Sequence, residues 1–222
     1  MRPKTIFEGQ SLSLVRGGKR LFKDLSFSLS PQESLVLIGE NGSGKTSLLR
    51  LMATLLRPTT GELFWDQKKL TLLDPHLKEN IIYVGHAFGL KSNVEVCEML
   101  SFFKDMTDSH TSIKDIAKYW GLEEVKNQKI SEISLGCQKK VALSQLNLAL
   151  SKKPGMKKPY LWVLDEPFTS LDTLSQQKLC ELFEAHLKTG GILVFSSHQH
   201  QLFQTNFRIH LKKEFSKEFA HA

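Results

Sequence analysis

The chain has 222 residues, near the upper end for one domain, so one large domain or two small ones is expected and a long repeat array is excluded. Hydrophobic residues make up 41% of the sequence and charged residues 24%, a composition typical of a packed protein rather than a disordered one. Thirty Lys and Arg against 23 Asp and Glu give a formal net charge of +7, which favours an anionic partner without deciding between a nucleotide, a nucleic acid and a membrane surface.

The sequence contains no apolar run approaching the roughly 20 residues that a membrane-spanning helix needs. Its first residues also lack the apolar stretch of a signal peptide. The cysteines Cys97, Cys137 and Cys180 are far apart and form no CxxC pair, which favours a reduced, cytosolic compartment. We therefore expect any membrane-spanning part to be supplied by another chain.

The N-terminal region alternates apolar and polar residues with the period of a β-strand. Residues 11–15 and 25–30 both have this pattern, and Gly17 and Gly18 between them are typical of a turn. These segments predict an antiparallel hairpin with one solvated face.

A glycine-rich turn follows, and across it the hydrophobic period changes from that of a strand to that of a helix. Residues 35–38 (LVLI) predict a strand buried on both faces, and residues 47–56 predict a helix. The turn at residues 39–46 reads GENGSGKT and fits the phosphate-binding pattern GxxxxGK[ST].

This turn predicts a nucleotide site. Its glycines let the backbone wrap around a phosphate, so that N–H groups and the helix N-terminus point at it. Lys45 would reach the β and γ phosphates, and Thr46 would bind Mg²⁺. The predicted nucleotide-binding residues here are Gly39, Glu40, Asn41, Gly42, Ser43, Gly44, Lys45, Thr46 and Ser47.

Residues 87–150 have a mostly helical pattern. Gly121 is placed to end one helix, and Ser134 is placed to cap the next. We predict a helical subdomain over about 87–150, inserted in an α/β core of about 5–86 and 151–222, within a single domain of 1–222. The lysine-rich residues 151–159 predict an exposed loop.

Two further buried runs, residues 160–164 and 192–195, lie on either side of a helix predicted over 172–188. A strand, a helix and a strand in succession predict a parallel sheet. The first of these strands ends at Asp165 and Glu166. Asp165 would bind Mg²⁺ while Glu166 takes a proton from the attacking water, the division of roles that phosphoryl hydrolysis needs.

The order of these motifs resembles the ATP-binding cassette (ABC) ATPases, a resemblance that extends over nearly the whole chain. It places the family's signature sequence at residues 133–138 (ISLGCQ), its D-loop at 170–172 (SLD) and its switch histidine at His198. The resemblance implies an α/β P-loop fold with a mostly parallel core sheet, an N-terminal antiparallel β subdomain and an inserted helical subdomain.

The resemblance also implies a site shared by two chains. Ser134, Gly136 and the helix they begin would bind the γ-phosphate held by the opposite subunit, so that a dimer encloses ATP. Asp172 of the D-loop is counted with these nucleotide-binding residues, and His198 would contact the γ-phosphate. Ser134 can serve as an ordinary N-cap at the same time.

Four positions depart from the family pattern. Leu135 and Cys137 replace a glycine and a glutamine of the signature, and His86 stands where the family has its Q-loop glutamine. An imidazole there could still hydrogen-bond water. The place of the aromatic residue that stacks on adenine falls at Arg16, whose guanidinium could stack or simply be solvated, with Phe22 as a second candidate.

Within the family, residues 83–91 (YVGHAFGLK), 162–169 (WVLDEPFT) and 190–192 (GGI) resemble the ATP-binding subunits of the cytochrome c maturation system. The resemblance implies a peripheral homodimer on the cytoplasmic face of a bacterial inner membrane, with membrane subunits resembling CcmB and CcmC. ATP turnover would then be linked to heme handling and to release of a heme-loaded chaperone. The candidates for contact with membrane helices are Phe88, Leu90, Phe102 and Phe103.

Three other functions remain open at this point. The chain could be the ATPase of another ABC transporter, a soluble ABC ATPase that acts on nucleic acid, or a nucleotide sensor that binds without hydrolysis. The net charge of +7 would suit phosphate contacts in the second case, while the altered signature and His86 favour the third.

Overall fold

The structure is a computed structural model that describes residues 6–75, 80–151, 161–198 and 202–212. Most of the predicted lysine-rich loop, residues 152–159, lies outside the described residues. The strands are β1 (Phe7–Arg16), β2 (Lys19–Leu29), β3 (Ser34–Gly39), β4 (Thr60–Trp65), β5 (Lys68–Lys69), β6 (Ile81–Val84), β7 (Leu161–Leu164), β8 (Ile192–Ser196) and β9 (Phe207–Leu211). The α-helices are α1 (Lys45–Met52), α2 (Val96–Thr107), α3 (Ile113–Trp120), α4 (Leu135–Leu150) and α5 (Thr173–Lys188).

The N-terminal strands form an antiparallel sheet in the order β2-β1-β4-β5. The hairpin predicted around Gly17 and Gly18 is confirmed, and both glycines have positive φ, a conformation that glycine adopts without steric cost. The strands of the hairpin are longer than the predicted segments, because pairing continues to the turn itself.

The second sheet has five strands in the order β6-β7-β8-β3-β9, and every pairing in it is parallel. Residues of β7 and β8 are buried along their whole length, as expected for strands with both faces covered. This confirms the predicted parallel core. Because parallel strands share one carboxyl edge, the ends of β3, β7 and β8 come together there.

The two faces of this sheet belong to two clusters of buried side chains. Leu35, Leu37 and Val163 pack with α1 and the N-terminal sheet, whereas Trp162 and Leu164 pack with α2, α4 and α5. Successive residues of one strand therefore fill opposite cores, so the run is apolar without alternation.

The helix after the glycine-rich turn runs over Lys45–Met52, so the predicted range of 47–56 was wrong at both ends. Gly44, with φ of 100°, lets the helix begin directly after the turn. Thr54 has φ of 56°, and the N–H of Leu55 donates to the Arg50 carbonyl while that of Thr54 donates to the Leu51 carbonyl. These are the hydrogen bonds of a helix that ends in a left-handed residue, which the apolar pattern of 55–56 conceals.

The region between the two halves of the parallel sheet contains α2, α3 and α4, and both predicted helix boundaries are confirmed. Gly121 ends α3 with φ of 65°, and the Ser134 hydroxyl accepts the Cys137 N–H at the start of α4. Among the candidates for membrane contact, Phe102 is half exposed, but Phe103 is buried in the core and is not available for such contact.

The described cysteines Cys97, Cys137 and Cys180 are not joined by disulfides. Within the described residues no helix has the length and apolar character needed to span a bilayer.

Candidate active site

The glycine-rich turn and the Asp-Glu pair meet at the carboxyl edge of the parallel sheet, beside a cavity of about 760 Å³. The predicted residues that line it are Glu40, Asn41, Gly42, Gly44, Lys45, Thr46, Ser47, His86, Asp165, Glu166 and His198. Segments separated by more than 100 residues in the sequence therefore share one cavity.

The turn itself wraps around the ammonium group of Lys45. This Nζ donates to the carbonyls of Gly39 at 2.6 Å and Glu40 at 3.1 Å, and the side chain is almost completely buried. A β-carbon on Gly39 would lie 2.3 Å from the Leu211 carbonyl, so the approach of β9 requires glycine there. Ser43 is 2% exposed, and its Oγ would lie 2.6 Å from the same β-carbon. In a phosphate-binding turn of this kind, backbone N–H groups and the N-terminus of the following helix surround the phosphate.

Asp165 receives hydrogen bonds on both carboxylate oxygens. The Thr46 hydroxyl donates to Oδ2 at 2.7 Å, and the Ser196 hydroxyl donates to Oδ1 at 2.6 Å. The carboxylate is 2% exposed. A hydroxyl and a carboxylate oxygen side by side are ligands that Mg²⁺ prefers, so the pair fits the predicted metal position.

Glu166 lies one residue further, at the open side of the cavity. Its backbone is left-handed, with φ of 51°, and its N–H donates to Ser196 Oγ at 2.9 Å. Oε1 lies 2.8 Å from His198 Nε2 and 3.8 Å from Lys45 Nζ. The two predicted catalytic side chains Glu166 and His198 are thus in direct contact, and the carboxylate faces the space where a nucleotide phosphate and water would lie.

The signature residues and the D-loop form one unit within the chain. A β-carbon on Gly136 would lie 2.8 Å from the Ser170 carbonyl, and Lys140 Nζ is 2.6 Å from Asp172 Oδ2. The Lys140 hydrogen bond, followed by that of the Ser175 N–H, holds the pKa of Asp172 well below its usual value. Ser134, Gly136 and Asp172 do not line the cavity of their own chain.

Neither predicted adenine-stacking residue is among the residues that line this cavity. Arg16 is exposed at the end of β1 and does not line it, and Phe22 is 5% exposed within the core of the N-terminal sheet. Leu21 lines the cavity in their place. The hairpin turns the side chain of Leu21 toward the cavity and that of Phe22 into the core, since successive strand residues point to opposite faces.

Sequence reasoning missed two residues of the site, Lys139 and Ser196. Lys139 lines the cavity, and burial lowers its pKa to about 8, although attraction by Asp165 and Glu166 acts in the opposite direction. Ser196 is fully buried, and its hydroxyl donates to the Asp165 carboxylate and accepts the Glu166 backbone N–H. The only sequence signal for Ser196 is a polar residue at the end of a buried strand, just before His198.

Comparison with known proteins identifies the family. Residues 22–169 match the ABC transporter family model. The cytochrome c biogenesis ATP-binding export protein CcmA of Haemophilus influenzae is 35% identical over 193 residues, 86% of this chain and 87% of that protein. CcmA of Escherichia coli K12 is 32% identical over 194 residues, 87% of this chain and 89% of that protein.

Solved structures show the same fold. A dimeric bacterial ABC transporter cassette superposes with a TM-score of 0.75 at 21% identity, covering 94% of this chain and 95% of that chain. A putative ABC transporter ATP-binding protein from Pyrococcus furiosus gives a TM-score of 0.71 at 22% identity, covering 92% and 96%. These comparisons confirm the resemblance that the motifs indicate: the chain belongs to the ABC transporter family and is an ATP-binding ATPase similar to CcmA.

Proposed function

We propose that this chain hydrolyses ATP to drive a membrane complex that handles heme during c-type cytochrome biogenesis. The similarity to CcmA over most of the chain supports the process, and the cluster of Thr46, Asp165, Glu166 and His198 supports the chemistry. In this proposal residues 1–222 act as one ABC ATPase domain.

The site residues divide the hydrolysis of ATP to ADP and phosphate among them. Lys45 and the N–H groups of its loop hold the β and γ phosphates. Thr46 and Asp165 would hold Mg²⁺, which supplies positive charge to the phosphate oxygens when bound. Glu166 accepts the proton of the attacking water, and the oxygen of that water forms the new bond to the γ-phosphorus as the bond to ADP breaks. His198 orients the Glu166 carboxylate at 2.8 Å and reaches the γ-phosphate from the same side.

A second copy of the chain completes the site. Ser134, Gly136 and Asp172 do not line the cavity of their own chain, although Leu135 and Ser170 of the same signature and D-loop unit do. The neighbouring Leu135 is 65% exposed and Leu174 is 60% exposed, which leaves apolar surface beside the unit for a partner to cover. ATP enclosed between two copies would therefore bring these residues to the γ-phosphate of the opposite chain.

Membrane subunits resembling CcmB and CcmC would dock near the segment that follows β6. Phe88 and Leu90 are partly buried there, and Phe102 on α2 is 48% exposed. His86, at the Q-loop position, lines the nucleotide cavity in the same segment. A partner that contacts this segment could thus respond to nucleotide, at the cytoplasmic face of the bacterial inner membrane.

The substitution Glu166→Gln tests the chemistry. It should keep ATP binding but reduce turnover by about 100-fold or more, because the amide cannot accept the proton. Glu184→Gln is the matched control, since that carboxylate is 59% exposed and pairs with Lys188 on the surface of α5. Normal turnover with Glu166→Gln would show that another group is the base.

Co-purification from membranes tests the process. The tagged chain should recover membrane proteins resembling CcmB and CcmC, and cells that lack the chain should fail to assemble c-type cytochromes. Recovery of a different permease would refute the cytochrome assignment and leave the ATPase intact. Salt-sensitive binding to DNA without membrane association would instead favour the nucleic-acid alternative.

A further inference from the structure

Lys139 is a buried lysine that the proposed hydrolysis does not use. It lies one turn into α4 and is 2% exposed, yet it lines the nucleotide cavity together with Phe88 and Asp165. A lysine is rarely buried unless its charge is compensated. The groups that surround its ammonium therefore indicate what it does.

The ammonium group joins three segments of the chain. Nζ donates to the backbone carbonyl of Asp165 at 3.3 Å, and it lies 5.0 Å from the centroid of the Phe88 ring. The carboxylates of Asp165 and Glu166 attract it through space. One positive charge therefore contacts three segments, namely the start of α4, the end of β7 and the segment after β6. It lies over the face of the Phe88 ring, and aromatic faces attract cations.

Phe88 occupies an unusual backbone conformation at this contact. Its φ is 57°, which is rare for a bulky residue, and its N–H closes a turn onto the Gly85 carbonyl at 3.1 Å. The ring packs against the core cluster on one side and faces the Lys139 ammonium. His86 lies within the same turn and lines the cavity. The position of this turn therefore depends on the contact between the Phe88 ring and the Lys139 ammonium on α4.

We propose that Lys139 is a positioning residue that ties the turn of His86 and Phe88 to the carboxylate end of β7. A shift of the turn would then move the Asp165 carbonyl through the shared ammonium, and with it the side chains that act on ATP. The proposal rests on the roles given above to Asp165 and Glu166, and it is independent of which cargo the complex handles.

The test is steady-state ATP turnover of the full chain in complex with its membrane partners. Lys139→Met removes the charge and the donor with little change in volume and should lower kcat about tenfold, with KM changed less than about twofold. Lys139→Arg keeps both a donor and a cation for the ring, so it should stay within about threefold of the original kcat. Lys188→Met, on a side chain 78% exposed, is the surface control.

Phe88→Leu completes a double-mutant cycle. It removes the π face but keeps an apolar side chain, so it should lower kcat without changing KM. The double variant with Lys139→Met should have the same kcat as Lys139→Met alone, because the two changes break the same contact.

Four outcomes would overturn the proposal: unchanged kcat with Lys139→Met, a higher KM at constant kcat, Lys139→Arg as slow as Lys139→Met, or fully additive losses. If Lys139→Met does not fold, unchanged kcat with Phe88→Leu overturns it equally. Normal turnover of Glu166→Gln would instead contradict the catalytic base, so the two failures are distinguishable.

Discussion

Ser196 offers a test of how the Asp165 carboxylate and the Glu166 backbone are held. Its hydroxyl is fully buried, donates to Asp165 Oδ1 at 2.6 Å and accepts the Glu166 N–H at 2.9 Å. The substitution Ser196→Ala leaves both groups without that partner. An unsatisfied buried polar group costs about 1–3 kcal/mol, and two groups lose a partner here. We therefore expect the free energy of unfolding to fall by about 3 kcal/mol.

Ser196→Ala should lower ATP turnover by more than the loss of folded protein alone would explain. Asp165 would keep its bond from Thr46 but lose the one that fixes its other oxygen, and the left-handed backbone of Glu166 would lose its hydrogen bond. Residues that orient metal ligands typically change metal affinity or activity by about 10–100-fold. ATP turnover measured against Mg²⁺ concentration should therefore show a lower kcat and half-maximal activity at a higher Mg²⁺ concentration, at a temperature where the variant is folded.

Ser144→Ala is the matched control. Ser144 is equally buried, but its hydroxyl donates to the Val141 carbonyl one turn earlier in the same helix, at 2.6 Å. Loss of the Ser144 hydroxyl should lower the free energy of unfolding by less than about 1 kcal/mol and leave ATP turnover unchanged. If Ser196→Ala resembles Ser144→Ala in both thermal unfolding and turnover, the hydroxyl does not hold the carboxylates and the reasoning fails.

Two further predictions concern stability. In Gly191→Ala the new β-carbon would lie 2.2 Å from the ring of His186. That ring is stacked on Trp162, with the ring centroids 3.9 Å apart, so it cannot move away. We expect the free energy of unfolding to fall by about 1–3 kcal/mol, and an unchanged melting temperature would contradict this. Lys140→Met removes the group that lowers the pKa of Asp172. Because the folded pKa is the lower one, that stabilisation is present above about pH 4 and disappears as the pH falls. The Asp172 side chain is 53% exposed, so Lys140→Met should lower the free energy of unfolding by less than about 1 kcal/mol at pH 7, measured with urea. The loss should become progressively smaller below pH 4. An equal loss at pH 2 would show that the ion pair is not responsible.

Local features of the sequence predicted the parts of the site that depend on neighbouring residues. The turn at 39–46 requires glycines with unusual backbone angles, the buried run at 35–38 ends just before it, and Gly121 and Ser134 mark helix ends through their own conformations. Each signal lies within a few residues of the structure it predicts. The roles proposed for Lys45, Asp165 and Glu166 rest on signals of the same local kind.

The position of Arg16 shows where this reasoning ends. Which residues of the N-terminal hairpin line the nucleotide cavity depends on how the hairpin packs against the parallel sheet, and Leu21 lines it whereas Arg16 does not. The end of α1 was misplaced because the apolar residues 55–56 continue the helical pattern after the backbone has turned at Thr54.

The sequence by itself determined the phosphate-binding turn, the carboxylates that follow a buried strand and the order of motifs typical of an ABC ATPase, since adjacent residues carry these signals. Only the tertiary structure decided that Ser196 and Lys139 belong to the site. Ser196 is 31 residues from the carboxylate it holds, and Lys139 is 26 residues from the carbonyl it contacts. They reach Asp165 because β8 pairs with β7 and α4 packs over the end of β7. Burial of both faces of the sheet sets the pairing between such distant segments, and no local sequence pattern does so.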